Sequence, residues 1–484
     1  MSESATSFGR PVAGDVLDRL KATVGPGGFV EGPEDTAAHS RPWRGKWEGH
    51  TPLVLRPKTT EEVAAIVKLC AETRTPIVPQ GGNTGVTYGG LPSADMSEVV
   101  VSTSRMRRVR DLDILNDTMT VDAGVVLKEI QIAAANADRL FPLSLGAEGS
   151  CQIGGNISTN AGGIQVLRYG NTRNLVLGLE VVLPDGRVWD GLRGLRKDNT
   201  GYDMKQLFIG AEGTLGIITA AVLRLFPKPT EAQSAWIAVD SPKTGLDLLV
   251  HMKGAMGETI TSFELIRRSI IEFLLTGVPG HSDPLSEAHP WYVLMEVTGQ
   301  GAVGSLSEPL TQALESAAEK GLVRDAVIAS SSEQAKRLWR MREDLPDAQK
   351  AAGGSIAHDV SVPLSRLSEF IARADAAIEK AYPAVRHCCF GHLGDGNLHY
   401  NPLCPADWSY ERYAAETASI NRIVHDIVVS VGGSISAEHG IGRLRLEENL
   451  RYKDTVELDL MSRMKRALDP LNIMNPGRVV PNEK

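Results

Sequence analysis

Two glycine-rich segments constrain the fold more than any other feature of this 484-residue chain. The first covers residues 79–86 and the second covers residues 146–163, and both mix glycines with small polar residues. Glycine permits positive φ angles and close approach of another backbone. Successive backbone N–H groups in such loops form concave sites that bind anions such as a pyrophosphate. Either segment alone is more often a structural turn, whereas the pair suits a dinucleotide cradle.

Other nucleotide-binding and partner classes are disfavoured. Neither segment matches GxGxxG followed by a helix and a distant acid, or GxxxxGK[ST], which argues against a nicotinamide Rossmann site and a P-loop. The net charge is −8 and no basic stripe is present, so nucleic acid is not an expected partner. The five cysteines show no CxxC spacing, which disfavours a disulfide framework or zinc ribbon and favours a reducing compartment.

The sequence also leads to an expectation about location. Residues Met1 to Val16 lack a basic region followed by an apolar core, so no signal peptide is predicted. The longest apolar stretch, 216–226, is much shorter than the roughly 20 residues of a membrane helix. We therefore expect a cytoplasmic protein without a transmembrane segment.

Three stretches of different character predict an α+β fold. Residues 1–227 alternate short β-rich runs with turns, and one clear helix begins near Thr59 or Thr60, either of which can cap it. The Pro-Lys-Pro sequence that begins at Pro227 marks a boundary. Residues 228–426 alternate strands with amphipathic helices, and residues 427–484 are helical apart from a glycine-rich loop.

The strongest chemical signal is the run Gly-His-Leu-Gly-Asp-Gly-Asn-Leu-His-Tyr-Asn at 391–401. Its Asp-Gly pair predicts a two-residue type I′ hairpin, which would place His392 directly opposite His399. Opposed residues have Cβ atoms about 4.5–5.5 Å apart on one face, so the two imidazoles would form a metal pincer. Asn401 follows His399 by two residues and is expected on the same face.

A second segment, 436–442, supplies Glu438 and His439. A carboxylate would complete a His₂-carboxylate site with open positions, which is typical of a catalytic metal. Neighbouring residues point in different directions, so Glu438 and His439 should have different roles. A lone histidine is more often a hydrogen-bonded structural residue, and His387 and His425 are interpreted that way.

The two glycine-rich segments, together with segments 199–203 and 210–219, closely resemble those of the vanillyl-alcohol oxidase/p-cresol methylhydroxylase flavoproteins. Within that family the chain is similar to the FAD-linked D-2-hydroxy acid dehydrogenases, from about Thr51 to Val480. The resemblance implies a two-subdomain FAD-binding domain (1–227), an α+β substrate or cap domain (228–426) and a small helical part that returns to the flavin (427–484). The later parts correspond to the FAD-linked oxidase C-terminal domain.

The resemblance also implies which residues hold FAD. The first glycine segment would carry the pyrophosphate, the second would surround the diphosphate, ribityl chain and flavin, and 210–218 would line the adenosine and flavin edge. Some relatives attach FAD through a loop His or Cys, but Gln80 to Gly90 contains neither, so we expect noncovalent FAD although Cys151 lies in the second segment. The expected FAD contacts are Pro79, Gly81, Gly82, Asn83, Thr84, Gly85, Val86, Gly146, Ala147, Gly149, Ser150, Gly154, Gly155, Asn156, Ser158, Thr159, Asn160, Gly162, Gly163, Glu212, Gly213, Gly216, Ile217, Ile218 and Asn475.

The remaining site residues follow from the same resemblance. His392, His399 and Glu438 match the ligands of a divalent metal, for which we expect zinc, with manganese or iron as alternatives. His439 matches the catalytic base and a substrate contact, and Arg342 and Asn401 are the other expected substrate contacts. The implied reaction oxidises a D-2-hydroxy acid (D-2-hydroxyglutarate, D-malate or D-lactate) to the 2-oxo acid by hydride transfer to flavin N5.

Two positions depart from the D-2-hydroxyglutarate pattern. Ala357 stands where that group carries a lysine, and Pro346 stands where it carries a threonine. Both family residues are associated with the distal carboxylate, so the departures disfavour a glutarate-length dicarboxylate unless Lys350 or His358 substitutes.

Several functional alternatives stay open. The expected electron acceptor is a carrier such as electron-transfer flavoprotein or a quinone, and a homodimer is one open oligomeric state. A rival is a D-2-hydroxy acid oxidase that uses oxygen directly. Another is a non-catalytic FAD-binding subunit of a larger oxidoreductase, which the histidine cluster disfavours. A third is a metal-binding protein without redox activity, which conflicts with the glycine segments.

Overall fold

The computed structural model describes residues 9–43, 45 and 47–482. The prediction about a signal peptide in Met1 to Val16 therefore lies partly outside the described residues. Two 3-10 helices cover Thr103–Arg105 and Gly257–Thr259. The α-helices are α1 (Gly14–Val24), α2 (Pro33–Ser40), α3 (Thr60–Thr73), α4 (Leu127–Asn136), α5 (Ile153–Ser158), α6 (Val166–Tyr169), α7 (Thr172–Leu175), α8 (Lys205–Phe208), α9 (Pro242–Met256), α10 (Arg268–Gly277), α11 (Ser307–Glu319), α12 (Ser332–Glu343), α13 (Leu345–Ala351), α14 (Leu364–Ala381), α15 (Tyr410–Ala415), α16 (Thr417–Ser430), α17 (Leu446–Tyr452) and α18 (Thr455–Leu468).

Strands and helices are mixed up to Tyr400, and the regular elements described after it are all helices, which is the predicted α+β class. They are β1 (Phe29–Val30), β2 (Val54–Leu55), β3 (Ile77–Gln80), β4 (Val99–Ser102), β5 (Val109–Asp113), β6 (Thr118–Asp122), β7 (Arg139–Leu140), β8 (Val176–Val182), β9 (Val188–Gly191), β10 (Ile217–Arg224), β11 (Phe226–Pro227), β12 (Glu231–Val239), β13 (Ile260–Arg267), β14 (Trp291–Gly299), β15 (Asp325–Ile328), β16 (Asp359–Ser361), β17 (Cys389–His392) and β18 (Asn397–Tyr400).

The chain forms two compact units. Unit 1 contains Met1–Gly162, Asn171–Pro227 and Glu438–Lys484, and unit 2 contains Gly163–Gly170 and Lys228–Ala437. All five cysteines lie in the described part of the chain and are buried free thiols. Among residues 9–43, 45 and 47–482, no helix has both the length and the apolarity needed to cross a membrane.

Unit 1 contains two main sheets. The first has the order β1-β2-β4-β3, in which β2, β4 and β3 are parallel, and the second has the antiparallel order β5-β6-β10-β8-β9. Helix α3 is capped by Thr59, whose side chain accepts the backbone N–H of Glu62. Its apolar side chains Val63, Ile66, Val67 and Cys70 are buried in the core next to the first sheet. Parallel strands put the loops after their carboxyl ends at one edge, and the first glycine segment follows β3 at that edge.

The C-terminal part of unit 1 is anchored by a buried charge cluster. Arg478 is fully buried and donates to both carboxylate oxygens of Glu98, which is itself 3% exposed. Arg443 donates to the same carboxylate. Burial alone would raise the pKa of Glu98, but the two guanidinium groups and their hydrogen bonds hold it below its usual value.

Unit 2 is built on one antiparallel sheet of order β15-β12-β14-β13-β17-β18-β16, with helices on both faces. Helices α10, α12 and α13 pack on one face through a core that includes Trp236, Tyr292 and Leu294. Helix α9 packs on the other face, where Gly245 leaves room for Leu265 and Leu393.

The hairpin at 391–401 forms, but the predicted register is wrong. His392 pairs with Asn397, and His399 pairs with Phe390, so residues 393–396 make a four-residue turn. A type I′ turn requires positive φ at both central residues, and only Gly396 has it, at 84°. The register is offset by two residues, and since side chains alternate with period two, the histidines still share one face.

We expect the buried charge cluster to set the stability of unit 1. Arg478→Met removes the fully buried partner of Glu98 and leaves that carboxylate poorly compensated, so the free energy of unfolding should fall by about 3–5 kcal/mol. Urea denaturation measures this. The matched control is Arg187→Met at an exposed pair with Asp185, where little change is expected. Equal effects of the two substitutions would contradict the anchoring role.

Candidate active site

Unit 1 contains an open cleft between its glycine segments, with an empty volume of about 980 Å³ including its mouth. The imidazole-bearing residue His439 also lines the cleft. The predicted cofactor residues that line it are Pro79, Gly81, Gly82, Asn83, Thr84, Gly85, Gly154, Gly155, Asn156, Ser158, Thr159, Glu212, Gly213, Gly216, Ile217 and Ile218.

Other residues differ from the prediction. Sequence reasoning missed lining residues at Gln80, Thr87 to Leu91, Thr103 and Gln152, because their side chains carry no distinctive cofactor signal. The predicted residues that fall outside the described lining are Val86, Gly146, Ala147, Gly149, Ser150, Asn160, Gly162, Gly163 and Asn475. Of these, Gly163 belongs to unit 2.

The glycines let the two segments approach closely. A Cβ at Gly82 would lie 2.2 Å from the carbonyl oxygen of Ser150, and a Cβ at Gly154 would lie 2.7 Å from the Cβ of Ala123. Real Cβ atoms do not show contacts of that length, so a side chain at Gly82 would push the two segments apart, and one at Gly154 would push the second segment away from Ala123. The cleft therefore depends on glycine at these points.

The polar groups of the cleft fit FAD. The backbone N–H groups of residues 82–85 donate to no described residue, although they belong to the lining. Residues 82–84 are half-buried, so their N–H groups need acceptors, and a pyrophosphate would supply them. The Oδ1 atom of Asn156 is buried and also meets no hydrogen-bond partner in the described chain. A cofactor with both anionic oxygens and hydroxyl groups satisfies these donors and this acceptor.

Glu212 connects the cleft to the loop that carries His439. One carboxylate oxygen accepts the N–H of Ile441 and the other accepts the N–H of Gly442, both at 2.8 Å. Thr87 holds the same loop, since its hydroxyl donates to the carbonyl of His439 at 3.2 Å. Burial raises the pKa of Glu212, although the two N–H donors oppose the shift.

Asn475 and Cys151 have supporting positions. The Nδ2 atom of Asn475 donates to the carbonyls of Gly89 and Glu212. Asn475 therefore stabilises two residues that line the cleft. Cys151 lines the cleft, and burial raises the pKa of its thiol to about 11. The thiol is therefore protonated at neutral pH and is a poor nucleophile.

In unit 2, the predicted metal histidines lie on one face of the sheet. The ring centroids of His392 and His399 are 5.8 Å apart, and the rings are inclined at 74°. The Nδ1 atom of His392 lies 2.6 Å from Oε1 of Glu264. Since a histidine that donates through one ring nitrogen presents the other as a ligand, this contact suits a metal-binding imidazole.

Glu264, which sequence reasoning missed, contacts two of the predicted site residues. It is fully buried in β13, and its Oε2 atom accepts the Nε–H of Arg342 at 2.7 Å. Burial would raise the pKa of Glu264, but the charges and hydrogen bonds of His392 and Arg342 lower it to about 2. The only sequence signal is an acid inside an apolar strand, and nothing in that signal identifies the partners.

The predicted substrate residues have internal contacts. Arg342 is mostly buried and stacks over the ring of Phe390, 4.9 Å from its centroid. The Oδ1 atom of Asn401 accepts the N–H of His358 at 2.8 Å, and its Nδ2 atom lies 3.3 Å from an oxygen of Gln349. Both side chains are therefore held in fixed positions.

The positions that depart from the family pattern are also defined. Ala357 is exposed, and Pro346 lies in the first turn of α13. Lys350 is exposed and pairs with Asp347. His358 is 1% exposed and its Nδ1 lies 2.8 Å from the carbonyl of Tyr400, which favours a structural role over that of a substitute for the missing lysine.

Glu438 and His439 belong to unit 1, where Nε2 of His439 lies 3.8 Å from Oε1 of Glu438. The preceding residue, Ala437, belongs to unit 2, and its N–H donates to the carbonyl of Asp359 at 3.1 Å. Asp359 in turn pairs with His399 across β16 and β18. The side chain of His439 is one-third exposed.

Comparisons with known families cover most of the chain. Residues 51–191 match the family described as FAD binding domain, and residues 228–479 match FAD linked oxidases, C-terminal domain.

Curated relatives match over nearly the full length. The chain is 37% identical over 469 residues to the probable mitochondrial D-2-hydroxyglutarate dehydrogenase of Oryza sativa subsp. indica, covering 96% of this chain and 82% of the relative. It is 38% identical over 472 residues to the mitochondrial D-2-hydroxyglutarate dehydrogenase of Bos taurus, covering 97% and 84%. It is 35% identical over 490 residues to a putative mitochondrial D-lactate dehydrogenase of Schizosaccharomyces pombe, covering 95% and 89%.

Solved structures share the fold at low identity. A p-cresol methylhydroxylase with bound substrate has a TM-score of 0.76 and 17% identity, covering 97% of this chain and 98% of that one. The 4-ethylphenol oxidase from Gulosibacter chungangensis has a TM-score of 0.74 and 18% identity, covering 97% of each chain. The predicted flavoprotein fold is confirmed.

The expected cytoplasmic location is contradicted by the same comparisons. The relatives from rice, cattle and fission yeast are all named as mitochondrial enzymes. The expectation depended on the missing secretory signal pattern, the short apolar stretches and the cysteine pattern, none of which separates the cytoplasm from a mitochondrion.

Proposed function

Because this chain belongs to the FAD-linked D-2-hydroxy acid dehydrogenases of the vanillyl-alcohol oxidase/p-cresol methylhydroxylase family, we propose that it oxidises a short D-2-hydroxy acid with the help of a divalent metal. FAD-linked oxidation of D-2-hydroxy acids to 2-oxo acids follows from the family. The observation that carries the metal is the pair His392 and His399 on one sheet face, with Nδ1 of His392 held by Glu264.

Segments 79–86 and 146–162 are the proposed walls of the FAD site. The free N–H groups of 82–85 would hold the pyrophosphate, and Asn156 would meet a hydroxyl of the ribityl chain. Bound FAD supplies a hydride acceptor at N5. We propose that residues 228–426 form the substrate side and that 427–484 brings His439 to the flavin cleft.

A divalent metal would be held by His392, His399 and Glu438, with zinc favoured by the two imidazoles and manganese or iron as alternatives. Such a metal supplies Lewis-acid polarisation of the substrate hydroxyl. Held by two imidazoles and one carboxylate, the metal would supply binding sites for the substrate hydroxyl and the C1 carboxylate.

His439 is the proposed base that accepts the hydroxyl proton. It lines the cleft, and Glu212 and Thr87 hold its loop by backbone contacts. The backbone that carries the imidazole is therefore fixed beside the cleft. Histidine is the side chain best suited to exchange a proton near neutral pH. Arg342 would orient a substrate carboxylate through its terminal amino groups, because its Nε is taken by Glu264. Asn401 would help orient the substrate beside it. A carrier such as electron-transfer flavoprotein or a quinone is the proposed acceptor.

We expect the flavin to be bound noncovalently. The one cysteine in the cleft is Cys151, whose raised pKa keeps it protonated, and the first glycine segment contains no tethering residue. Acid precipitation of the holoprotein should release all yellow colour into the supernatant, as measured by absorbance. Flavin that stays with the washed pellet would contradict this expectation.

Removing a proposed metal ligand should remove metal and spare FAD. His392→Ala, His399→Ala and Glu438→Ala each delete one of three donors, so elemental analysis should show loss of the metal together with loss of activity. FAD content should be unchanged, because no ligand lies in segments 79–86 or 146–162. The control is His251→Ala in α9, a histidine that lies 3.1 Å from the carbonyl of Ala313. Full metal occupancy in all three ligand variants would refute the site.

Substrate choice should favour short acids. Loss of a charged partner for the distal carboxylate of the substrate weakens the free energy of binding by about 1.5–3 kcal/mol. This corresponds to roughly one to two decades in affinity. With Ala357 and Pro346 in place of the family lysine and threonine, kcat/KM for D-malate or D-lactate should compete well with that for D-2-hydroxyglutarate. Ala357→Lys should raise the value for D-2-hydroxyglutarate selectively. The proposal fails if D-2-hydroxyglutarate leads by two decades or more and the lysine changes nothing.

A further inference from the structure

Glu264 contacts two groups with different proposed functions. It lies directly opposite His392 in the antiparallel pairing of β13 and β17. Its Oε1 atom is 2.6 Å from Nδ1 of His392, and its Oε2 atom is 2.7 Å from Nε of Arg342. The carboxylate is fully buried, so these contacts are not exchanged for water.

We propose that Glu264 is a positioning residue that fixes the tautomer of His392 and the orientation of Arg342 at the same time. The inference rests on the proposed function, since it assigns His392 to the metal and Arg342 to the substrate carboxylate. Glu264 itself touches neither. It acts through the two residues that do.

The tautomer follows from hydrogen-bond chemistry. An ionised carboxylate only accepts hydrogen bonds, so Nδ1 of His392 carries the proton and donates it to Glu264. The lone pair of a neutral imidazole is then on Nε2, which is the nitrogen that can bind a metal. Partners of this kind also make the imidazole a better ligand, and their loss typically weakens metal binding by about 10–100-fold.

Arg342 determines how the side-chain amide is oriented when the charge of Glu264 is removed in Glu264→Gln. Guanidinium groups cannot accept hydrogen bonds, so in Glu264→Gln the amide oxygen must face Nε of Arg342. The amide NH₂ then faces Nδ1 of His392, which has to become an acceptor. The proton of His392 moves to Nε2 and occupies the position of the metal bond. Because glutamine and glutamate are nearly equal in size, Glu264→Gln should invert the tautomer of His392 without disrupting the packing around it.

The neighbouring strand offers a matched control. Glu296 in β14 is also a largely buried carboxylate, and Thr261 donates to it at 3.0 Å. It pairs with Ser262 and Ser234, and it contacts neither His392 nor Arg342. Burial raises the pKa of Glu296, and Glu296→Gln replaces this buried carboxyl group of the same sheet without altering either proposed functional residue.

The experiment compares wild type, Glu264→Gln and Glu296→Gln as purified FAD-loaded proteins. Zinc affinity is measured by competition with a chelator, and FAD content is measured by absorbance. Nitrogen-15 NMR of labelled histidines, recorded at a pH high enough to make the imidazole of His392 neutral, reports which of its ring nitrogens carries the proton in metal-free protein, with His392→Gln used to assign the signal.

The expected result is an Nδ1 proton in wild type and in Glu296→Gln, and an Nε2 proton in Glu264→Gln. Zinc affinity should fall about 10–100-fold in Glu264→Gln only, with FAD content unchanged. An Nε2 proton in wild type, unaltered zinc affinity in Glu264→Gln, or an equal loss in Glu296→Gln would overturn the inference. If wild type binds no zinc, the proposed metal site fails, while the tautomer comparison still decides the role of Glu264.

A second variant covers the case in which Glu264→Gln does not fold. Glu264→Asp keeps the charge but shortens the side chain by one methylene, which lengthens the contact with His392 or with Arg342. Zinc affinity should fall by a smaller factor, and the Nδ1 proton should be kept. Unchanged affinity in this variant would count against the inference.

Discussion

The cleft of unit 1, which is the proposed FAD site, depends on one buried carboxylate. Glu212 lies in a glycine-rich segment next to β10, and it accepts two backbone N–H groups from the loop that follows His439. A buried carboxylate needs such donors, and the loop needs an acceptor for N–H groups that no regular element satisfies. Each side therefore stabilises the other. Because Asn475 also donates to the carbonyl of Glu212, the C-terminal segment is held at the same point.

Buried polar groups on the sheet of unit 2 also need hydrogen-bond partners, and this need explains how its side chains are arranged. Its face is apolar over β12 and β14, where Trp236 and Leu294 pack, and becomes polar over β13, β17 and β18. Polar groups on a buried face must satisfy one another, and Glu264 does this for Arg342 and His392. The binding residues proposed for metal and substrate are thus held by the same contacts that make the sheet stable.

The sequence predicted the parts of the molecule that depend on local chemistry. The glycine segments, the capped helix α3 and the shared face of His392 and His399 were all readable from spacing, because glycine, capping residues and strand alternation act over a few positions. The hairpin register was not, because it depends on the φ angle of Asp395, which the sequence does not specify. Glu264 could not be identified, and Glu212 was predicted as an FAD contact but not as the acceptor for the loop that follows His439. Their importance comes from partners that lie 78 or more residues away, and no local pattern encodes those contacts.

The most direct test of this account is the reduction of the bound flavin by single substrates without oxygen. The account predicts that a D-2-hydroxy acid bleaches the flavin absorbance near about 450 nm, and that the L-isomer does not. His439→Asn should retain the flavin spectrum and lose most of this bleaching, since the cleft keeps its shape and loses its base. Bleaching by both isomers, or undiminished bleaching in His439→Asn, would contradict the account.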